Sequence, residues 1–477
     1  MENNKYYHDP EGFSEDPERA LRRKRHRRTR MIAWVSFISV LVLLCVGGFF
    51  LIKGLSAKLS KVDLKRIIGG DSPVSASASA SDSGSDQIVE NINDHEKDIV
   101  VDPKDEPKSP TEEELFEQAV DKFVASMSLK DKVAGLFIVS PEQITGVDAA
   151  VMAGDGTRVA LEKYAVGGII YSDKNITASD KFATMLQKTR EFARYPLFLA
   201  IDEELGNGVL VSKLKLEGTL NASDLGLTGN SDTAMSEAGR LADYLKNHGI
   251  NLNFGIVADV LTNPENALLA GRSFSADADV CAQMTEACVK AFNERGITVA
   301  LKSFPGEGDV TVDTKDTIAT TERSLEEMKE CEFKSFIAGI DAGADMLRIS
   351  HICAPNVTGD SELCSSSKAL LTDILRSEYG YDNLIIITDA LNKGAVSNYY
   401  DSAEAAVTSL KAGADMLLLP ENFDEAYNGV IDAVYKGVVS IERINASLKR
   451  IYRVKFRGMT SDEILTLVGM QDASGNN

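Results

Sequence analysis

Carboxylate side chains recur at the ends of short apolar runs, and they are the residues in this chain best suited to chemistry. The positions concerned are Asp202, Glu203, Glu204, Asp259, Asp309, Asp313 and Asp389. Taken singly, an aspartate in such a place is usually a loop cap or a surface charge. Several carboxylates that converge with a lysine and an arginine instead suit the binding of sugar hydroxyls, and paired acids suit glycoside hydrolysis. The pattern therefore favours carbohydrate chemistry.

Other chemistries are disfavoured by composition. The part of the chain predicted to fold contains two histidines, His248 and His351, and they lack the spacing of metal ligands. No Gly-x-Gly-x-x-Gly fingerprint follows the first apolar run, so we expect no metal and no cofactor. The net charge of -21 argues against a nucleic-acid partner, because phosphate binding needs a basic face.

The cysteines do not predict a disulfide scaffold. No pair has Cys-x-x-Cys spacing, and an odd number lies beyond the apolar N-terminal run. Cys353 and Cys364 could close one loop with a disulfide, but buried free thiols are the favoured interpretation.

The elements that must position the carboxylates alternate between short apolar runs and helical patterns. The predicted strands are Gly135–Val139, Val166–Tyr171, Leu197–Asp202, Leu252–Val260, Thr298–Ser303, Met346–His351, Leu384–Asp389 and Met416–Leu419. Helices are predicted at Asp180–Arg194, Asp232–Asn247, Asp277–Arg295, Leu325–Ala342 and Lys368–Glu378. Strands that are apolar on both faces are typical of a buried parallel sheet. Eight strand–helix units favour an α/β fold of the TIM-barrel (β/α)8 type, with an open Rossmann-type sheet as the alternative.

A barrel would bring the polar strand ends together. Asp202, Asp259, Lys302, His351 and Asp389 close five of the predicted strands. In a TIM barrel the carboxyl ends of all strands open onto one face, where catalysis takes place. We therefore expect these side chains to share one site.

The N-terminal part predicts a membrane anchor. Met31–Ile52 is an uncharged, almost wholly apolar run, long enough to cross a bilayer as a helix. Arginines and lysines cluster before it, and such charge stays on the cytoplasmic side. A cleaved signal peptide would have a shorter apolar core and a small-residue cleavage site. The predicted order is a cytoplasmic basic tail (1–30), a transmembrane helix (31–52), a disordered linker (53–110), an extracytoplasmic barrel (111–460) and a C-terminal tail (461–477).

Longer motifs surround the candidate residues. They are Met127–Val133, Val166–Ile170, Pro196–Glu204, Gly249–Ser275 and Ile387–Leu391. Together they resemble glycoside hydrolase family 3, in its compact β-N-acetylglucosaminidase (NagZ-type) branch, over roughly residues 125–455. The resemblance implies a retaining β-N-acetylhexosaminidase with Asp389 as the nucleophile. It also implies that Asp202 and Arg272 bind the sugar, and that Lys302, Ser303 and His351 are further candidates for substrate binding.

The loop after the fifth strand departs from that family's pattern. Residues 302–309 read Lys-Ser-Phe-Pro-Gly-Glu-Gly-Asp, where the family usually has Lys-His-Phe-Pro-Gly-His-Gly. Ser303 and Glu307 thus replace histidines, while Lys302 is kept. Further on, the family's Asp-Ser-His corresponds here to Asp313, a threonine and Lys315. The lysine therefore stands where the resemblance places a proton-transferring histidine.

This exchange leaves the activity open. A general acid works best with a pKa near the working pH, and lysine titrates near 10.4 against about 6.5 for histidine. Asp313 beside Lys315 would raise the lysine pKa further, and lost acid–base assistance costs about 10²- to 10⁴-fold in rate. Glu307 is the substitute acid that the loop offers.

Three functions follow from these residues. The first is a membrane-anchored, extracytoplasmic glycosidase that acts on N-acetylglucosamine-type linkages of cell-wall or other glycans. The second is a catalytically impaired pseudoenzyme of the same fold that binds glycan or acts as a scaffold. A third is glycosyl transfer to phosphate, with Lys315 supplying positive charge.

Overall fold

The structure, a computed structural model, describes residues 109–206 and 208–474. The predicted basic tail (1–30) and transmembrane helix (31–52) lie outside the described residues, as does nearly all of the predicted linker (53–110). Within the described ranges, no helix is both long and apolar enough to cross a membrane.

Eight parallel strands close into a barrel, which confirms the predicted fold class. The strands are β1 (Phe137–Val139), β2 (Gly168–Tyr171), β3 (Phe198–Ile201), β4 (Leu252–Val257), β5 (Thr298–Phe304), β6 (Met346–Ile349), β7 (Ile385–Ala390) and β8 (Met416–Leu418). They follow one another in chain order around the ring, and β8 pairs with β1 through Leu417 and Phe137. A closed ring excludes the open Rossmann-type sheet.

Helices cover the outside of the barrel. They are α1 (Glu112–Ser126), α2 (Leu129–Ala134), α3 (Pro141–Thr145), α4 (Asp155–Lys163), α5 (Ser179–Phe192), α6 (Val209–Leu214), α7 (Ala222–Thr228), α8 (Ser231–His248), α9 (Ala278–Glu294), α10 (Leu325–Glu330), α11 (Glu332–Asp341), α12 (Pro355–Thr358), α13 (Ala369–Glu378, wound as a π-helix), α14 (Gly394–Ser397), α15 (Ser402–Ala412), α16 (Phe423–Tyr435), α17 (Ile441–Lys455) and α18 (Ser461–Ser474).

Two features of the helices differ from the sequence-based expectation. The predicted helix Leu325–Ala342 is divided at Cys331, whose φ of -125° and ψ of -86° are not helical. The segment predicted as a C-terminal tail forms α18, and Ile464 of that helix is buried in the core. The barrel domain therefore extends beyond residue 460.

Local sequence explains where the helices begin and end. At the start of α8, the Asn230 side chain accepts hydrogen bonds from the backbone N–H groups of Asp232 and Thr233, which satisfies donors that lack a partner within the helix. The same helix ends at Gly249, whose φ of 85° is left-handed and favours glycine.

At the amino end of β8, the buried Asp415 carboxylate binds three arginines, which are Arg376, Arg443 and Arg450.

Candidate active site

A cleft of about 980 Å³ lies at the carboxyl ends of the strands. It brings together eight of the nine side chains that the sequence singled out for the site. These are Asp202, Arg272, Lys302, Ser303, Glu307, Asp313, Lys315 and Asp389. The parallel strand order produces this convergence, because every strand ends on the same face of the barrel.

Asp389, at the end of β7, is almost fully buried at the base of the cleft. Its Oδ1 accepts the backbone N–H of Ala390 at 2.7 Å and lies 3.5 Å from the Nε of Arg348. Its Oδ2 accepts a hydrogen bond from Lys393 at 2.6 Å. Burial alone would raise the pKa of Asp389, but the two cations outweigh it and hold that pKa well below its usual range. The carboxyl group is therefore ionised, as a nucleophile must be.

The ninth predicted residue, His351, does not line the cleft. It is fully buried, its Nδ1 lies 2.7 Å from the hydroxyl of Ser365, and its Nε2 lies 3.1 Å from the carbonyl oxygen of Ala390. Burial lowers the pKa of His351 to about 4. The ring is therefore neutral at neutral pH. It contacts the last residue of β7, and because it is fully buried it cannot contact a substrate.

Asp202 and its partners form one wall of the cleft. The Nζ of Lys302 lies 2.5 Å from Asp202 and 2.5 Å from Glu204, and Arg348 contacts Asp202 at 2.9 Å. Burial would raise the pKa of Asp202, but Lys302 and Arg348 outweigh it and lower that pKa. Because Arg348 also faces Asp389, it links this wall to the base of the cleft.

Arg272 is held by a bidentate ion pair. Its Nε and one terminal nitrogen donate to the two carboxylate oxygens of Glu204 at 2.8 and 2.7 Å, and its other terminal nitrogen donates to the Leu268 carbonyl. Although burial opposes ionisation, Lys302 and Arg272 lower the pKa of Glu204 to about 2. The planar arginine is thus fixed at the rim of the cleft, with a side chain 42% exposed.

Asp259 has a structural role, although it is a buried carboxylate at a strand end. Its Oδ2 accepts the backbone N–H of Ser303 at 2.9 Å, and its Oδ1 accepts that of Glu307 at 2.7 Å. The carboxylate therefore ties the end of β5 to the start of the loop that follows it. Burial and the charge of Glu307 raise the pKa of Asp259 to about 7.

Glu307 points into the cleft from this loop. The hydroxyl of Ser350 donates a short hydrogen bond to its Oε1, and the amide of Asn266 donates to its backbone carbonyl at 2.7 Å. Gly308 follows it directly, and a Cβ there would overlap the Val260 carbonyl oxygen. The loop therefore requires glycine at this position, and its packing fixes where the glutamate lies.

The loop that carries Asp313 and Lys315 docks on the segment after β7. The backbone N–H of Gly394 donates to the Lys315 carbonyl at 2.7 Å, and that of Ala395 donates to the Thr314 carbonyl at 3.0 Å. Asp313 accepts the backbone N–H of Lys315 at 2.8 Å. The Lys315 side chain is exposed at the cleft rim, so an exposed ammonium group stands where the family pattern has an imidazole.

Sequence reasoning missed three partners of the predicted residues. Arg348 is a charged residue inside an apolar strand, which was a visible signal of a buried ion pair. Lys393 stands four residues after Asp389, a distance that permits contact within one turn. Ser350 carried no signal, because only the fold brings it to Glu307.

Metal ligation and disulfide formation find no support in the described part of the chain. No group of three or more His, Cys, Asp and Glu side chains in it is arranged to hold a metal ion. Cys353 and Cys364 are buried free thiols, as the sequence favoured.

The chain is similar to known proteins along most of this barrel. Residues 128–454 match the glycosyl hydrolase family 3 N terminal domain. Beta-hexosaminidase A of Pseudoalteromonas piscicida is 27% identical over 323 residues, which are 62% of this chain and 54% of that protein. The beta-hexosaminidase of Xylella fastidiosa (strain 9a5c) is 30% identical over 280 residues, which are 57% of this chain and 81% of that protein.

A solved structure shares the fold. It is a glycoside hydrolase family 3 beta-N-acetylglucosaminidase from Paenibacillus sp. str. FPU-7, with a TM-score of 0.64 and 28% identity. The match covers 72% of this chain and 68% of that one. The chain spans about half the length of the Pseudoalteromonas protein.

Proposed function

The chain belongs to glycosyl hydrolase family 3, and we propose that it hydrolyses β-linked N-acetylglucosamine-type glycosides with retention, through Asp389 as the nucleophile. The observation that carries this proposal is the buried, ionised Asp389 at the base of a cleft that Asp202, Lys302 and Arg272 also line. Relatives named beta-hexosaminidase support this substrate class.

The reaction has two steps, as in other retaining glycosidases. In the first, a carboxylate oxygen of Asp389 attacks the anomeric carbon, and the bond to the leaving oxygen breaks with its electron pair. In the second, water attacks the anomeric carbon of the glycosyl-enzyme, and the ester electrons return to Asp389. The polar wall formed by Asp202 and Arg272 would hold the sugar hydroxyls during both steps.

Protonation of the leaving oxygen is the step for which this cleft is poorly equipped. Lys315 replaces the histidine of the family pattern, and its side chain is exposed. We propose Glu307 as the proton donor, because it lines the cleft and its carboxylate accepts a hydrogen bond from the neutral hydroxyl of Ser350. The hydrogen-bond donor to this carboxylate is thus a neutral group and not a cation.

Two substrates test this assignment. The nitrophenolate of nitrophenyl β-N-acetylglucosaminide can leave without protonation. The leaving sugar of N,N′-diacetylchitobiose needs an acid that protonates its oxygen. We expect the wild type to cleave the first, and Glu307→Gln to slow the second by about 10²-fold or more while sparing the first. Asp389→Asn should abolish both activities. Absence of turnover on either substrate, with no adduct on Asp389, would overturn the hydrolase proposal.

Restoring the missing histidine probes the rest of the site. Lys315→His should raise turnover of N,N′-diacetylchitobiose if the sugar-binding wall and nucleophile are competent. Lys436→His, an exposed substitution at the end of α16, is the matched control and should leave the rate unchanged. No gain in Lys315→His would favour a function without turnover.

A glycan-binding pseudoenzyme is the second candidate function. It is favoured by the engagement of both Asp389 oxygens, by Lys393 on one side and the Ala390 N–H on the other. Under this proposal, calorimetry would give equal affinities for N-acetylglucosamine oligosaccharides in the wild type and in Asp389→Asn, with no turnover by either. Turnover by the wild type excludes it.

We also propose that the barrel is anchored outside the cytoplasm, where cell-wall glycans lie. This proposal is supported by the apolar run Met31–Ile52 and the basic cluster before it. The full chain should sediment with membranes, and protease added outside the cytoplasm should digest the barrel. Recovery of the full-length chain in the soluble fraction would contradict it.

A further inference from the structure

Lys393 lies beside the proposed nucleophile, and neither step of the proposed reaction assigns it a role. Its Nζ lies 2.6 Å from the Oδ2 of Asp389 and 3.2 Å from the hydroxyl of Thr314. Its side chain is 18% exposed. The lysine thus contacts both the nucleophile and the loop that stands where the family pattern has its proton donor.

The two cations beside Asp389 differ in how they are shared. Arg348 lies 3.5 Å from Asp389 but forms a closer ion pair, at 2.9 Å, with Asp202. Lys393 lies closer to Asp389 than Arg348 does, at 2.6 Å. The charge that responds most directly to a change at Asp389 is therefore that of Lys393.

We propose that Lys393 is a positioning residue that makes Asp389 a better leaving group in the second step of the reaction. This proposal rests on the proposed function. When Asp389 is esterified it loses its negative charge, and the ammonium of Lys393 is left beside a neutral ester in a buried site. Return of the electron pair to Asp389 restores the ion pair, so the lysine favours cleavage of the glycosyl-enzyme.

The same contact opposes the first step. Attack on the anomeric carbon removes the negative charge that Lys393 stabilises, and the hydrogen bond to Oδ2 occupies one of its lone pairs. In the second step a water oxygen bonds to the anomeric carbon, the ester bond to Asp389 breaks, and the water proton passes to Glu307 or solvent. Lys393 therefore acts with opposite sign on the two steps, which a purely structural residue does not do.

Rapid mixing with nitrophenyl β-N-acetylglucosaminide separates the steps. In Lys393→Met we expect the initial release of nitrophenolate to be as fast as in the wild type or faster. The steady rate that follows should fall by about 10- to 100-fold, because this is the rate change that corresponds to losing one hydrogen bond to a charged group. Mass spectrometry should show more glycosyl-enzyme on Asp389 at steady state.

Two variants serve as controls. Lys393→Arg keeps the charge and should restore the steady rate toward that of the wild type. Thr314→Val removes the second contact alone and should not increase the glycosyl-enzyme. If both phases slow together in Lys393→Met, or if Arg fails to rescue, the proposed role of Lys393 is overturned. Thermal unfolding of each variant checks that the fold is intact.

A measurement without turnover keeps this proposal separate from the proposed function. Carbon-13 NMR titration of the Asp389 carboxyl group should give a higher pKa in Lys393→Met than in the wild type. The same pKa in both proteins would show that the lysine does not govern the nucleophile. Absence of any nitrophenolate release, with the pKa difference present, would instead refute the hydrolase function.

Discussion

Replacing Lys455 with methionine should stabilise the barrel. Lys455 ends α17, and its Nζ is buried with no hydrogen-bond partner among the described residues. The ammonium lies 5.0 Å from the centre of the Phe198 ring and 4.8 Å from that of Tyr452. Burial lowers the pKa of Lys455 to about 7. Methionine keeps the length of the side chain without a charge to desolvate.

The magnitude follows from that pKa. An unfolded lysine titrates near 10.4, so the charged form of Lys455 is disfavoured in the folded state by about 5 kcal/mol at about 1.36 kcal/mol per pH unit. The two aromatic faces return about 1 to 2 kcal/mol of attraction to the cation. We therefore expect Lys455→Met to raise the free energy of unfolding by about 3 to 4 kcal/mol at pH 7.

The pH dependence gives a sharper test. Between pH 7 and about 10.4 the unfolded chain holds a proton on Lys455 that the folded chain releases, so wild-type stability rises with pH there. The gain in Lys455→Met should be largest at pH 7 and below, and should vanish near pH 10.

Urea unfolding across this pH range measures the gain, with Lys436→Met as the control. Lys436 is 71% exposed, so its replacement should change stability by less than about 0.5 kcal/mol. A gain that does not vary with pH, or a loss of stability, would refute the assignment of Lys455 as a desolvated cation.

Three further substitutions test the barrel and the segments that shape the cleft. Asp415→Asn should lower the free energy of unfolding by about 3 to 5 kcal/mol, because it leaves three arginines around a neutral side chain; urea unfolding measures this loss. Gly394→Ala should lower turnover, because a Cβ there would overlap the Asp316 carbonyl and displace the docked loop, whereas Gly154→Ala meets no atom within 4 Å and should not. Asp259→Asn should lower stability by about 1 to 3 kcal/mol and lower activity as well, because the two backbone N–H groups bind different carboxylate oxygens and the amide NH2 that replaces one of them cannot accept a hydrogen bond.

The fold was predictable because its signal is local. Each strand is a short run that is apolar on both faces, and each lies between helical patterns, so all eight strands could be located from the sequence alone. The division of the helix at Cys331 and the packing of α18 were not predictable, because they depend on contacts with distant elements. Ile464 shows this most clearly, since only the folded barrel buries it.

The site residues that belong to a sequence motif were predictable. The ion pairs that form across the barrel were less so. Asp202, Lys302 and Asp389 were found at strand ends and converge as expected. The contact of Arg348 with Asp202 joins residues 146 positions apart, and no local pattern encodes such a distance. Asp259 was expected to share the site, but its carboxylate instead accepts one backbone N–H group from β5 and one from the loop that follows.

The pattern of charge pairing in the cleft bears on which residue protonates the leaving group. The charge of Asp389 is balanced by Lys393 and Arg348, and such a carboxylate does not take up a proton near neutral pH. Glu307 instead accepts its hydrogen bond from the neutral hydroxyl of Ser350. Glu307 lines the same cleft as Asp389, so it is the carboxyl group that we propose in place of the histidine of the family pattern, and the chitobiose assay on Glu307→Gln tests this role.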